Sequence, residues 1–487
     1  MNMRLVLPIC ACALAIHQVG AQGTNAAPTG ALTLQQAIEM AQRNGLQAQA
    51  ALGTRNAARG RDRAFDARLL PQFSLAGNMP VFQRSIIGVT QPDGSTIFLP
   101  IEERRADLNM IVSQRVPFTG AQLTMSSRLN KRTGNSVPET WSSSPFSLSI
   151  SQPILRSNAI GWERELNGLS ADIAERQYLE AREDVAIQVS GAYFDYFAAQ
   201  VSLRNANLNA ATNDTLFRLN QGRFEVGKIS ENDLLQSELE QLRARTALDQ
   251  ARLEHDRALA ALRLALNVPE TTALEITVTS AVPDFAADTT LAVTQALRNL
   301  SSVRALDLQD TQARRSVSEA RFNGLPGATL NASYGYNATG GAMNDVYRDL
   351  KQAQTFSLNL QVPLLTWGAR SGDMQAAKGE LSRVQNSTRI AREQARQEAH
   401  FAVLQVSLAR RQLAIAAKAD TVAQKRFEVS YNRYVIGRID VDQLYLAQQA
   451  KDQALLSYVQ SLRGYWQAYY RLRRVTLYDF ETGQGIR

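Results

Sequence analysis

Two stretches of this chain set hydroxyl and acidic side chains at fixed distances from a glycine: RFEVGKISENDLL (223–235) and RYVIGRIDVDQLY (433–445). Ser230 and Asp440 follow Gly227 and Gly437 at the place suited to an N-cap, whose side-chain oxygen accepts from the first turn of the next helix. Asp233 stands at the capping-box distance from Ser230, with aspartate where glutamate is usual. The chemistry open to this pattern is the stopping and restarting of a helix around a left-handed glycine. Nothing else groups into a reaction centre. His255 and His400 each stand alone in a helical stretch without cysteine partners, so no metal-ligand set forms. The chain has no P-loop, no G-x-G-x-x-G after a strand and no G-x-S-x-G elbow. The expectation is a protein that is not an enzyme and uses no cofactor.

The elements that must carry these glycines are long. No proline occurs from Ile154 to Val268, and none follows Pro363. An interior proline costs a helix about 3 kcal/mol, so two such runs, rich in Ala, Gln, Arg, Leu and Glu, read as uninterrupted helices. Apolar residues recur in them at helical spacing, as with Ile187, Phe194 and Val201, or Leu234, Leu242 and Leu253. Gly227 lies 74 positions after Pro153, and Gly437 lies 74 after Pro363 (227 − 153 and 437 − 363). Each half therefore reads as a proline-ended strand, a long helix, a glycine turn and a returning helix. A long helix of about 65–70 residues spans about 100 Å. The repeat extends upstream: LTLQQAIEMAQ (32–42) pairs with LAVTQALRNLS (291–301), and ARLLPQFSLAG (67–77) with FNGLPGATLNA (322–332).

Between the helices, apolar and polar residues alternate with period two. FSLSISQP (146–153) and FSLNLQVP (356–363) are the clearest cases. Weaker versions are PQFSLAGNM (71–79), LNMIVSQ (108–114), QLTMSSRL (122–129) and ATLNASYGYN (328–337). Such strands, about 9–11 residues long, suit a lipid-facing barrel. They suit a soluble sandwich equally well, and the leader and the size of the helices favour the barrel. Trp162 and Trp367, close behind the strand ends, fit either an interfacial or a packed position. TQPDGST (90–96), KRTGNSVPETWSSS (131–144) and NATGGAMND (337–345) read as exposed loops at the cell surface, and VPFTG (116–120) as a turn at the opposite rim. Four candidate strands in the first half and two in the second are too few to close a useful barrel. Several chains must then share one.

The first residues form a secretory leader: a basic MNMR start, an apolar LVLPICACALAI core and the small residues of VGA before Gln22. Cys10 and Cys12 fall within it and no cysteine follows, so the exported chain has no disulfides. No later segment reaches about 18 uninterrupted apolar residues, so a membrane location would require a barrel. A composition of 45% apolar and 20% charged residues is globular. The net charge of +8 includes Arg4 of the leader, and the remaining basic residues are scattered among almost as many acids. Together with export, that pattern indicates solvated helix faces and no nucleic-acid partner.

Over nearly its whole mature length the chain resembles the TolC family of outer-membrane efflux proteins. The resemblance rests on the twin tips R-[FY]-x-[VI]-G-x-I-[SD] at Arg223–Ser230 and Arg433–Asp440. It rests also on the strand-ending QPIL (152–155) and VPLLTWGAR (362–370), and on the duplicated plan. The implied fold is mainly α with a membrane β-barrel, in two tandem repeats of strands plus a long helical hairpin. The implied assembly is a homotrimer, whose α-barrel tunnel in the periplasm continues into a transmembrane β-barrel shared in outer-membrane lipid. The implied function is passive export for drug efflux or type I secretion, with the tips docked to a periplasmic adaptor and an inner-membrane pump. Residues 1–21 are then the signal peptide and 22–31 a linker; 32–268 form repeat 1, with strands over 71–153 and its tip at 227–230. Residues 269–290 form an equatorial linker, 291–476 repeat 2 with strands over 327–363 and its tip at 437–440, and 477–487 a C-terminal tail.

In the family, an acid six residues after the tip glycine helps to narrow the tunnel mouth. Asp233 holds that place in the first repeat, while Gln443 departs from it in the second, with Asp440 and Asp442 nearby. Three copies of Asp233 would repel one another and attract cations; helix capping alone is the rival role. The family pattern also suggests that Tyr434 and Arg438 pair across neighbouring tips. The adaptor-facing set would be Arg223, Val226, Gly227, Lys228, Ser230, Arg433, Ile436 and Gly437. The alternative is a periplasmic adaptor or scaffold, which also uses helical hairpins but carries one of them between small soluble β-domains. An ordinary porin is at odds with so much helix. A trimer would hold twelve strands on the family pattern, or eighteen if the hairpin around Pro117 joins the barrel.

Overall fold

A computed structural model describes residues 31–134, 138–278 and 282–486. The leader and residues 22–30 of the linker lie outside the described residues. The first half runs α1 (Leu34–Asn44), α2 (Leu46–Arg68), β1 (Gln72–Thr90), β2 (Thr96–Arg115), β3 (Gln122–Gly134), β4 (Thr140–Ile154), α3 (Ala159–Glu225) and α4 (Glu231–Leu266). The second runs α5 (Thr289–Asn299), α6 (Ser301–Asn323), β5 (Gly327–Gly340), β6 (Lys351–Gln361), α7 (Ala369–Val435) and α8 (Val441–Thr476). Two short strands, β7 (Tyr478–Asp479) and β8 (Gln484–Gly485), close the chain. The duplication extends to element lengths: α3 and α7 both have 67 residues, and α4 and α8 both have 36. It also repeats the break between the two leading helices, at an extended residue, Gly45 (φ −64°, ψ 141°) and Leu300 (φ −63°, ψ 135°).

Each long helix has one companion near the sheet and another towards its tip. Asn167 of α3 donates to Asp62 of α2 at 2.6 Å, and Arg59 pairs with Glu175 at 2.8 Å. Further along α3, Asp214 accepts from Gln241 at 2.6 Å and from Arg245 at 3.0 Å, both on α4. In the second half α6 and α8 pack against α7, with Arg392 paired to Asp307 at 2.8 Å. The chain thus contributes four helical segments to each level of the rod.

The core lies midway along the rod. Val189, Tyr193 and Phe194 of α3 meet Leu262 and Leu266 of α4, Val403 and Val406 of α7, and Leu462, Tyr465 and Tyr469 of α8. Each such aliphatic or aromatic side chain contributes about 1.5–3 kcal/mol on burial. The Tyr193 hydroxyl lies 2.9 Å and 2.7 Å from the carbonyl oxygens of Leu32 and Thr277, anchoring the two connecting segments, and burial pushes it up to about 12. Nearby Arg473 holds the fully buried Glu183 at 3.0 Å and Asp479 at 3.0 Å.

At the other end, β1 to β6 form one antiparallel sheet in chain order. The registers place one apolar row across the first five strands: Phe73 faces Val112, Val112 faces Met125, Met125 faces Leu148 and Leu148 faces Tyr334. On the same surface, in another row, Leu330 of β5 faces Leu358 of β6. The opposite surface is polar: Gln72, Ser113, Thr124, Ser149, Ser333 and Thr355 form one continuous row. The strands run from 11 to 20 residues, longer than the sequence pattern suggests. Most of 131–144 is strand rather than loop, since Lys131 pairs with Trp141 and Arg132 with Thr140. Asn337–Gly340 likewise continues β5. Polar residues there extend the ladder where no buried face demands alternation. Among the described residues no helix is long and apolar enough to cross a membrane.

Candidate functional site

The hairpin tips share one backbone design. At the first, Gly227 takes φ +70°, its N–H donates to the Phe224 carbonyl at 2.8 Å, and the Lys228 N–H donates to Arg223 at 2.8 Å. At the second, Gly437 takes φ +72°, its N–H donates to Tyr434 at 2.9 Å, and the Arg438 N–H donates to Arg433 at 2.9 Å. These are the paired bonds that satisfy the last carbonyls of a helix before a left-handed residue. Both glycines have open space where a Cβ would stand, so only the backbone angle demands glycine. Val226 and Ile436 are exposed at the apex.

The restarts differ in their caps. Ser230 accepts from the Asp233 N–H at 3.2 Å, and the Asp233 carboxylate accepts from the Ser230 N–H at 3.1 Å and its hydroxyl at 2.8 Å. The capping box is complete, so the Asp233 carboxylate is engaged within its own turn. Asp440 has the same N-cap backbone (φ −78°, ψ 159°), yet its side chain makes no capping bond. Its box partner would be Gln443, which does not reach back. Asp442 stands in the first turn of α8. It borders an open groove of about 710 Å³, where Gln236, Glu240 and Arg243 of α4 face Tyr445, Gln449 and Asp452 of α8. Burial, reinforced by Tyr434, Glu240 and Asp442, pushes the Tyr445 hydroxyl well above its ordinary range.

Within the chain, Tyr434 contacts the first hairpin through partners other than Arg438. Its hydroxyl donates to the buried Asn220 Oδ1 at 2.7 Å. The Arg223 guanidinium lies 5.3 Å from the Tyr434 ring and donates to the Val435 carbonyl at 3.1 Å. Leu216, Val441 and Leu444 complete a small buried cluster around Tyr434. Within the chain Arg438 does not reach Tyr434, and its side chain makes no hydrogen bond or ion pair among the described residues. Sequence reasoning missed Asn220 and Tyr445. The available signal was the unequal pair Phe224 and Tyr434 at matching places, because only the second carries a hydroxyl needing a partner. His255, the isolated histidine of α4, lies beside Asp256 and the Tyr196 ring.

Comparison with known proteins agrees with this geometry. Residues 101–268 match the family model described as "Outer membrane efflux protein". Two curated relatives align with 44% of the chain. They are Protein CyaE of Bordetella pertussis, 27% identical over 45% of its length, and outer membrane protein TolC of Vibrio cholerae, 29% identical over 52% of its length. The match thus spans about half the length of these relatives. Among solved structures, the Campylobacter jejuni CmeC outer membrane channel superposes with a TM-score of 0.65 at 16% identity, covering 93% of this chain and 86% of that one. The open state of the Neisseria gonorrhoeae MtrE outer membrane channel gives 0.64 at 14% identity, over 93% and 89%. The chain is therefore similar to outer membrane efflux proteins over residues 101–268, and its fold is that of the solved outer-membrane channels.

Proposed function

We propose that this chain is one protomer of a homotrimeric duct that carries substrates passively through the outer membrane and across the periplasm. The observation that carries the reading is the union, in one chain, of a sheet with an apolar row on every strand and two helical hairpins of equal length. A sheet with one apolar and one polar face suits a lipid-facing barrel around water. The rod of about 100 Å suits a periplasmic tunnel. Energy would come from an inner-membrane pump, reached through a periplasmic adaptor that grips the exposed tips, with Arg223, Val226, Gly227, Lys228, Ser230, Arg433, Ile436 and Gly437 as the contact set. Asp233, Gln443, Asp440 and Asp442 would ring the tunnel mouth, and Tyr434 would hold the tips together. Asp440 and Asp442, outside any capping box, would contribute charge alongside the engaged Asp233.

Single-channel recording of the purified protein in planar bilayers, beside Asp233→Ala, tests this. A small cation-preferring conductance that grows or loses its preference in the variant supports an acidic mouth. Pores indifferent to the change keep the duct and move the gate to Asp440 and Asp442. Absence of any pore overturns the duct in favour of a periplasmic scaffold.

A further inference from the structure

Within one chain the sheet ends on two unpaired edges, β1 and β6. Strand β1 is exposed along nearly its whole length, with Phe73 at 71% and Leu75 at 68%; on β6, Phe356 is at 75% and Leu360 at 63%. In lipid an open edge leaves a row of backbone donors and acceptors without partners, so each edge needs a strand. Strand β3, which would be the edge of a four-stranded unit, is already paired with β2 from Gln122 to Gly134. The apolar row also continues without interruption through β2 and β1.

The registers fix how two copies would meet. The row that starts at Gln72, the first residue of β1, ends at Thr355 of β6. Gln361, the last residue of β6, lies six positions beyond Thr355. The sheet therefore staggers by one residue per strand over six strands. If the strand ends meet at a common rim, Gln72 of one copy pairs with Gln361 of the next. Ser74 then faces Asn359 on the polar side, and Phe73 and Leu75 face Leu360 and Leu358 on the apolar side. Because the stagger is even, no side chain changes face. One residue of about 3.3 Å per spacing of about 4.8 Å gives a strand tilt of about 35°, within the range of closed barrels.

We infer that each copy contributes six strands, closed by β1 against β6 of the next copy in the Gln72–Gln361 register, so that the three-chain duct proposed above has an eighteen-stranded barrel. Barrel diameter grows about linearly with strand number, so this pore is about 1.5 times wider than one built from four strands per chain. The occupant of each edge is a second copy of this chain, and the inference rests on the trimeric reading.

Cysteine cross-linking tests it cleanly, because the chain has no cysteine beyond Cys12. Ser74→Cys with Asn359→Cys, oxidised in membranes, should give a reducible ladder ending at three chains. Ser74→Cys with Ser357→Cys, two residues out of register, should cross-link at least tenfold less. Thr124→Cys with Asn359→Cys reports the alternative closure of four strands per chain, and should give no ladder. A ladder from that pair alone would overturn the six-strand count and leave the trimer standing. No ladder from any pair, with a three-chain mass by light scattering, would refute the edge pairing. No ladder with a one-chain mass would refute the trimeric reading as well.

Discussion

Replacing Tyr434 with phenylalanine should loosen the two tips of one chain from each other while leaving the rest of the rod intact. The hydroxyl is the only atom removed, and its bond to Asn220 Oδ1 at 2.7 Å lies in a buried setting. Asn220 is fully buried and its Nδ2 already lacks a partner, so losing the hydroxyl leaves both ends of that amide unsatisfied. Leaving a buried acceptor unpaired costs about 1–3 kcal/mol, which raises the open population of the tips about 5- to 150-fold. The ring remains, so the contact with Arg223 at 5.3 Å survives. Hydrogen exchange read by mass spectrometry suits the question, because opening free energies are local. Amides in 216–240 and 430–445 should exchange faster by that factor, and those around Tyr193 should not change. Acceleration below twofold at the tips would refute the idea that this bond holds them, as would an equal acceleration at the mid-rod core. In the proposed duct the same variant should also raise single-channel conductance.

Further expectations follow from the same geometry. Ser230→Ala removes the cap and keeps the charge, costing about 1 kcal/mol in the first turn of α4, whereas Asp233→Asn keeps an acceptor and removes the charge. If charge sets cation preference, recordings should show it lost in the second variant and retained in the first. Gly437→Ala forces a side chain into φ +72° at a cost of about 1–2 kcal/mol, visible as faster exchange confined to 430–445. Arg473→Leu strands the buried Glu183 and should cost about 3–5 kcal/mol in denaturant unfolding, with much of that restored by adding Glu183→Gln. Hydrogen bonds from Gln241 and Arg245 hold Asp214 below its ordinary 3.8. Its stabilising contribution is present above that value and lost as pH falls through the lower folded value. Protection of the α3–α4 hairpin should therefore decline below about pH 4, and Asp214→Asn should flatten that decline.

The two hairpins were legible because helices count residues. Equal spacing from Pro153 to Gly227 and from Pro363 to Gly437 carried through to helices of 67 residues each. The number of strands was legible from alternation near the helices, where one face must be apolar. Their outer halves were not, because stretches such as Lys131–Gly134 and Trp141–Ser144 pair through the backbone whatever their side chains. The tip glycines and the Ser230 box could be read locally. The failure of Asp440 to cap could not, since it depends on whether Gln443 folds back. The Tyr434–Asn220 bond joins residues 214 positions apart, and only the packing of α3 and α7 beside α8 brings them together.

The identity of the helix lengths in the two halves has an evolutionary consequence. For the two tips to end in one plane, an insertion in α3 and α4 must be matched in α7 and α8. Seven extra residues in each arm of one hairpin alone would carry its tip about 10 Å past the other. Length can then change only by coordinated events in both duplicated halves, and the first event alone would be selected against. Substitutions on the solvated helix faces meet no such barrier. Among descendants of this gene, rod length should stay frozen while surface residues drift freely.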